Sequence, residues 1–381
     1  MAYFDNASTT YPKPERVYTF MDEFYRAGGA SAGRGQYALA MSTGSLIADT
    51  RKRIQWLLHC EQKQVVFTST ATIALNMIIQ GIIRKGAKDI YISPFEHNSV
   101  TRTLHYFEEQ NIIRVHVLEV DSDLKFNLEK IRYQFDDVAP EFVIISHASN
   151  VFGIVSPVEE TFTLAKKYKA ITLVDMAQTA GLIDLNAGNN VIDFAVFDGH
   201  KTLYGPTGIA GFVMNKQVEL PPVLFGGTGY DSANQNMPDS LPEKYEIGTF
   251  NTVGIAGLNV ALQWIEEISI ESLYKREVEH RRKLVEILSD YSWLHIIGDN
   301  SPNEYVGIVS CIIDGISSDS ASKVFDRLGI SVRTGLECAP LAHKFMNTFP
   351  AGTIRFSVSY FTTNVDFDCL REALDKIDEE I

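Results

Sequence analysis

The chain has 381 residues, 45% of them hydrophobic and 22% charged, which are the proportions of a folded globular protein and exclude long disorder. That length suits two domains. A net charge of −14 repels nucleic acid and anionic membranes, so no nucleic-acid and no membrane partner is expected.

The opening MAYFDNASTTYPKP has no apolar core of signal-peptide length. Apolar runs such as MIIQGII (77–83) and FVIIS (142–146) fall short of the ~20 residues a membrane helix needs, so a cytoplasmic protein is expected. Cys60, Cys311, Cys338 and Cys369 form no CxxC pair. They are expected as free thiols, and no metal site is expected.

In chain order, β-branched runs alternate with helical stretches from about 60 to 215. The predicted strands are VVF (65–67), DIYIS (89–93), RVHVLEV (114–120), FVIIS (142–146), ITLVD (171–175), DFAVF (193–197) and IAGFVM (209–214). Alternation of this kind predicts an α/β fold with a mostly parallel seven-stranded sheet covered by helices. Such sheets bind ligands beyond the C-terminal ends of their strands. A loop-rich stretch follows from 219 to 254, then helices over 254–268 and 271–290. Strands at 307–313, 330–334 and 353–358, with helices over 318–328 and 365–377, predict a smaller C-terminal α/β domain. The expected division is a large domain of residues 16–253 and a small domain of 1–15 with 254–381.

The predicted strand ends carry reactive residues. ITLVD ends in Asp175, with Gln178 after it; DFAVF leads into Asp198-Gly199-His200-Lys201. Taken singly, Asp175 reads as a helix cap and Lys201 as a solvated lysine. Together they are the pair that pyridoxal phosphate (PLP) needs: an amine for a Schiff base and a carboxylate to keep the pyridine nitrogen protonated. DIYIS delivers His97 to the same edge, where an imidazole can stack on that ring near the substrate Cα proton. FTSTATIALN places Thr70, Ala71 and Thr72 at a helix start, a candidate phosphate cup.

Over nearly its whole length the chain resembles the class V aminotransferase-type PLP enzymes of fold type I, and among them the cysteine desulfurases and selenocysteine lyases. The resemblance rests on FDNASTTYPKP, EHNS, SHASNVFG, VDMAQTAG, GHKTLYGPTG, GTFNT and VRTGLECAPLAH. It implies that Lys201 carries the cofactor and shuttles the Cα proton, Asp175 pairs with the ring nitrogen, Gln178 meets the phenolic oxygen and His97 stacks on the ring. Thr72 and His200, with Ala71 and Asp198 beside them, would contact the phosphate. Thr249 would reach the phosphate of a partner subunit, implying a homodimer with shared active sites. Asn150, Arg355 and Arg333 would bind the substrate carboxylate, which matches the arginine fork.

The same resemblance puts the family's nucleophilic cysteine on Cys338, in a short loop like those of desulfurases that hand sulfur to an acceptor protein. Desulfuration needs such a thiolate; transamination does not. The expected activity is therefore conversion of a small amino-acid substrate, L-cysteine, to L-alanine with a persulfide left on Cys338. Selenocysteine or C–S lyase activity, aminotransfer with Cys338 a bystander, and a degenerate non-catalytic homologue are the alternatives. Four positions depart from the relatives. Asp198 stands where Ser or Thr is usual, and an ionised carboxylate there would repel a phosphate by ~1 kcal/mol in water. Ala71 lacks a hydroxyl often present there, and Gly33 precedes Arg34 where some desulfurases carry His. Glu337 precedes Cys338 where His is common, and an anion beside a thiol disfavours the thiolate.

Overall fold

The computed structural model describes residues 1–30, 35, 37–230, 233–299 and 304–379; Gly33 and Arg34 lie outside the described residues. In chain order the elements are β1 (Ala2–Tyr3), α1 (Glu15–Gly28), α2 (Ala38–Leu57), β2 (Gln64–Thr68), α3 (Ala71–Arg84), β3 (Asp89–Ile92), α4 (Asn98–Glu109), β4 (Arg114–Val117) and α5 (Leu128–Asp137). Next come β5 (Phe142–Ser146), α6 (Val158–Lys166), β6 (Ile171–Asp175), β7 (Phe194–Asp198), β8 (Ala210–Met214), α7 (Thr252–Ile268) and α8 (Ile270–Ser289). The remainder is β9 (Leu294–Ile297), β10 (Ile308–Ile313), α9 (Ser318–Arg327), β11 (Ile330–Ser331), β12 (Arg333–Gly335), α10 (Pro340–Phe345), β13 (Thr353–Ser357) and α11 (Asn364–Asp378).

Seven strands form one sheet in the order β2-β8-β7-β6-β5-β3-β4. Only β8 runs against its neighbours, so the other six strands end at one edge. Every residue of β5, β7 and β8 is buried, as expected of strands covered on both faces. Alternation sorts their side chains into two apolar layers. Val143, Ile145, Ala195 and Phe197 face a core shared with Ile54, Phe135, Phe162 and Leu258. Phe142, Ile144, Phe194 and Val196 face the other, with Ile78, Ile82, Val100 and Leu104.

A second, antiparallel sheet, β12-β13-β10-β9, packs Val309, Ile354 and Phe356 against Leu284, Phe325, Phe367 and Leu374 from the helices around it. β1 pairs in parallel with β11, and Asp5 bridges to Ser357, so the first residues are tied to this sheet. Among the described residues, no helix is long and apolar enough to cross a membrane, and no cluster of His, Cys, Asp and Glu could hold a metal ion.

Glu277 of α8 joins that helix to the chain entering β10: its carboxylate accepts from Gly307 N at 2.8 Å. A side chain at 307 has no room, since a Cβ would sit 2.6 Å from Glu277 Cγ. Burial pushes the Glu277 carboxyl from 4.5 up to about 7. As pH rises between those values, the unfolded chain has released this proton and the fold still holds it, so stability falls across the window. Glu277→Gln keeps an acceptor for Gly307 and removes that loss. The variant is expected to exceed wild type at pH 8 by on the order of 1–3 kcal/mol, with a smaller gain at pH 5, by paired thermal melts. An equal difference at both pH values would show that the carboxyl titrates normally.

Candidate active site

Five strands of the large sheet deliver their C-terminal ends to one cavity of ≈ 340 Å³. β2 leads to Thr70, Ala71 and Thr72; β3 to His97; β5 to Asn150; β6 ends in Asp175, followed by Gln178; β7 ends in Asp198, followed by His200 and Lys201. The small sheet closes the far side with Arg333, Glu337, Cys338 and Arg355. The volume lies in the range of small-ligand and cofactor sites. All of the sequence-predicted site residues meet here except Thr249, which lines a separate cavity of ≈ 260 Å³ with Ser69, Gly208 and Phe250.

At the centre, the Lys201 amine has no hydrogen-bond or ion-pair partner among the described residues, while its carbonyl accepts from Thr10 Oγ1 at 2.8 Å. Only glycine fits at 199 on the approach, because a Cβ would meet the carbonyl of Ile209, the residue before β8, at 2.5 Å. Asp175 is 7% exposed, and burial pushes its carboxyl up; the Ala177 amide and the Lys201 charge oppose that. A cationic ring nitrogen would relieve such a group. Burial, then the charges of Lys201 and Arg355, lower the pKa of His97 to about 4, so the imidazole is neutral at ordinary pH. Its Nδ1 accepts from Ser99 N at 3.1 Å as the cap of α4, which leaves the proton on Nε2. Gln178 donates from Nε2 to the Ala7 carbonyl at 2.9 Å.

The backbone of α3 begins at Ala71, with Thr70 extended (φ −151) and its hydroxyl accepting from Ile73 N at 3.2 Å. That arrangement leaves first-turn amides for an anion. Asp198 faces the same cavity, 3.3 Å from His200 Nε2. Burial raises its pKa, but the bond to His200 and the Lys201 charge outweigh this and hold it below the usual range. Asp198 therefore faces the cup as a carboxylate that favours its ionised form. Behind it, Lys13 donates to the His200 carbonyl at 2.6 Å and to Thr10 Oγ1 at 2.8 Å. Burial lowers the Lys13 pKa to about 7, and Asp198 pulls the other way. Asp198→Ser is expected to tighten PLP binding about fivefold in a spectrophotometric titration of apoprotein, the equivalent of ~1 kcal/mol. An unchanged or weaker Kd would mean that the nearby cations already neutralise Asp198.

At the opposite end, Arg333 and Arg355 stand directly across β12 and β13 from one another, and both line the cavity. Two facing guanidiniums favour an anion between them. Arg355 donates to the Asn150 carbonyl at 2.7 Å, to Asp5 at 3.0 Å and to Ser8 Oγ at 2.9 Å. The Asn150 amide donates to the Glu337 carbonyl at 2.7 Å and keeps one N–H for a ligand. Cys338 is exposed, whereas Cys60 and Cys311 are fully buried and Cys369 is half-buried. The Glu337 side chain does not sit free beside the thiol. It turns inward to His343, with Oε2 2.8 Å from Nε2 and both side chains wholly buried.

Among the described residues, three buried side-chain polar atoms have no hydrogen-bond partner: His200 Nδ1, Glu337 Oε1 and Arg355 Nε. All three residues line this one cavity. Unsatisfied buried groups are rare in folded proteins, and their concentration here marks a place built for a ligand. With a free amine, a buried carboxylate and a helix start, the set fits a phosphorylated pyridine aldehyde. Sequence reasoning missed Asp5, Ser8 and Lys13, although they lie in the FDNASTTYPKP segment. It also missed Glu96, which accepts from Ser93 Oγ and Ser146 N, both at 2.6 Å, and so braces the turn carrying His97.

The profile of the Aminotransferase class-V family matches residues 2–370, and the chain belongs to that family. A probable cysteine desulfurase of Aeropyrum pernix is 31% identical over 395 residues, covering 99% of this chain and 94% of the relative. Another, of Methanothermobacter thermautotrophicus, is 29% identical over 382 residues, covering 98% and 94%. Among solved structures, the apo cysteine desulfurase from Thermococcus onnurineus NA1 superposes with a TM-score of 0.92 at 25% identity, covering 100% of this chain and 95% of that one.

Proposed function

We propose that the chain is a PLP-dependent cysteine desulfurase that converts L-cysteine to L-alanine and leaves the sulfur on Cys338. The observation that carries this reading is that Cys338, the exposed cysteine among the described residues, lines the same cavity as Lys201. The relatives named above support it.

When bound, PLP supplies an electron sink for charge released at the substrate Cα. Lys201 is the residue that would hold it and move the Cα proton, with Asp175, His97 and Gln178 around the ring and Thr72, His200 and the start of α3 at the phosphate. Arg355, Arg333 and Asn150 orient the substrate carboxylate. The Cys338 thiolate attacks the substrate sulfur; the new S–S bond forms as the C–S bond breaks, and a proton takes the sulfur's place on carbon. Cysteine and thiol thus become alanine and persulfide with no outside oxidant. The exposed persulfide is open to an acceptor protein. Thr249 lies apart from this cavity, in one it shares with exposed Leu224, which suits a role toward the phosphate of a second copy in a homodimer.

The test is to give the holoenzyme L-cysteine with and without reductant and follow alanine and the mass of the Cys338 peptide. Alanine together with one added sulfur on that peptide is expected. Amino transfer to a 2-oxo acid without sulfur on Cys338 would replace this reading with an aminotransferase.

A further inference from the structure

We propose that Glu337 and His343 are positioning residues whose buried pair latches the loop bearing Cys338 and fixes where its thiol faces the cavity. The proposal rests on Cys338 being the sulfur acceptor.

The loop between β12 and α10 is four residues, 336–339. Two successive non-glycine residues in it are left-handed: Glu337 at φ 39 and Cys338 at φ 60. Each such residue costs roughly 1–2 kcal/mol and persists only where its surroundings over-determine it. The surroundings do so from two sides. On the small-sheet side, Glu337 Oε2 lies 2.8 Å from His343 Nε2, and His343 Nδ1 lies 2.8 Å from Thr348 Oγ1. On the large-sheet side, the Asn150 side-chain amide donates to the Glu337 carbonyl at 2.7 Å, and the Asn98 backbone amide donates to the Cys338 carbonyl at 2.7 Å. Asn150 follows β5 and Asn98 opens α4 next to His97. The latch therefore registers the thiol against the elements that surround the reacting centre.

A carboxylate is costly to bury unless it is partnered. Burial raises the Glu337 pKa, and the bond to His343 is the leading opposing influence. Removing either partner breaks this bond and releases the small-sheet side of the strained loop. A thiol displaced by about 1 Å loses on the order of 10²-fold in a reaction that needs alignment. Its intrinsic reactivity toward a small reagent needs no such alignment.

The variants are Glu337→Ala, His343→Leu and Glu337→Gln, each compared with wild-type holoenzyme. Four quantities are read: hydrogen exchange of the amides of residues 339–348, kcat and KM for alanine release, alkylation of Cys338 by iodoacetamide, and the cofactor absorbance as a check on folding. Glu337→Ala and His343→Leu are expected to speed exchange about tenfold or more and to lower kcat about tenfold or more. KM and alkylation should stay within about threefold of wild type. Glu337→Gln keeps an acceptor for His343 and should retain most of kcat. Should Glu337→Ala fail to fold, His343→Leu provides the same readouts. Exchange and kcat at wild-type values in these variants would overturn the latch. So would alkylation falling in parallel with kcat, because Glu337 would then act on the thiol's reactivity rather than its place. If the wild-type enzyme releases no alanine, the desulfurase reading fails, and the exchange data alone decide the latch.

Discussion

Cys338→Ala is expected to lower alanine release from L-cysteine by ~10³-fold or more, the scale on which removal of a nucleophile acts. The side chain is exposed, so truncating it costs the core nothing. Lys201, Asp175 and His97 line the cavity from the C-terminal edge of the other, larger sheet. Cofactor content and absorbance should therefore match wild type, as should the spectral response to added substrate. That combination separates a nucleophile from a scaffold residue. Alanine release at the wild-type rate from Cys338→Ala would remove it from the mechanism and favour aminotransfer or direct C–S cleavage.

Lys201→Ala is expected to abolish covalent attachment of the cofactor. Borohydride reduction followed by peptide mapping should mark the Lys201 peptide in wild type and no peptide in the variant. Alanine release should fall by ~10³-fold or more, because both the anchor and the proton-moving amine are gone. Lys201→Arg is the electrostatic control. It restores a cation beside Asp175 and Asp198, both of which feel the Lys201 charge. It cannot attach the cofactor or exchange a proton near neutral pH. If Lys201→Arg recovers activity, the role of Lys201 is charge balance rather than covalent chemistry. If the label appears on Lys13 instead, whose pKa lies at about 7, the anchor has been misassigned.

Much of this site is legible along the chain because its chemistry sits at strand ends. A strand announces itself through a run of β-branched residues, and its end through the first polar residue after that run. Asp175, Asp198 and Lys201 are visible for that reason, and the structure brings them to one cavity with His97 and Asn150. The short β9 and the two-residue β1 are not visible, because so few residues carry no period, whereas β11 and the start of β12 fall within the predicted run 330–334. Lys13 and Asp5 are likewise silent. Their partners, His200 and Arg355, lie in distant parts of the chain.

Glu337 and Asp198 show where reading along the chain misleads. Adjacency to Cys338 places a carboxylate next to a thiol on paper. In the fold, the left-handed backbone turns that carboxylate into the interior, onto His343. Asp198 reads as a repulsive ion beside the phosphate; in the fold the hydrogen bond to His200 and the Lys201 charge hold its carboxyl below the usual range.

Apart from the thiol, which the family resemblance implied, the sequence by itself determined the parallel sheet, the edge on which the site lies, and the amine, carboxylate and imidazole that meet there. Each of these depends on local periodicity or on residue type. Only the tertiary structure decided that Asp198 meets His200, that Thr249 lines a separate cavity, and that the Glu337 side chain turns onto His343. Those are matters of side-chain direction and of contacts between distant segments. They follow from how the two sheets close on one another, which no local pattern encodes.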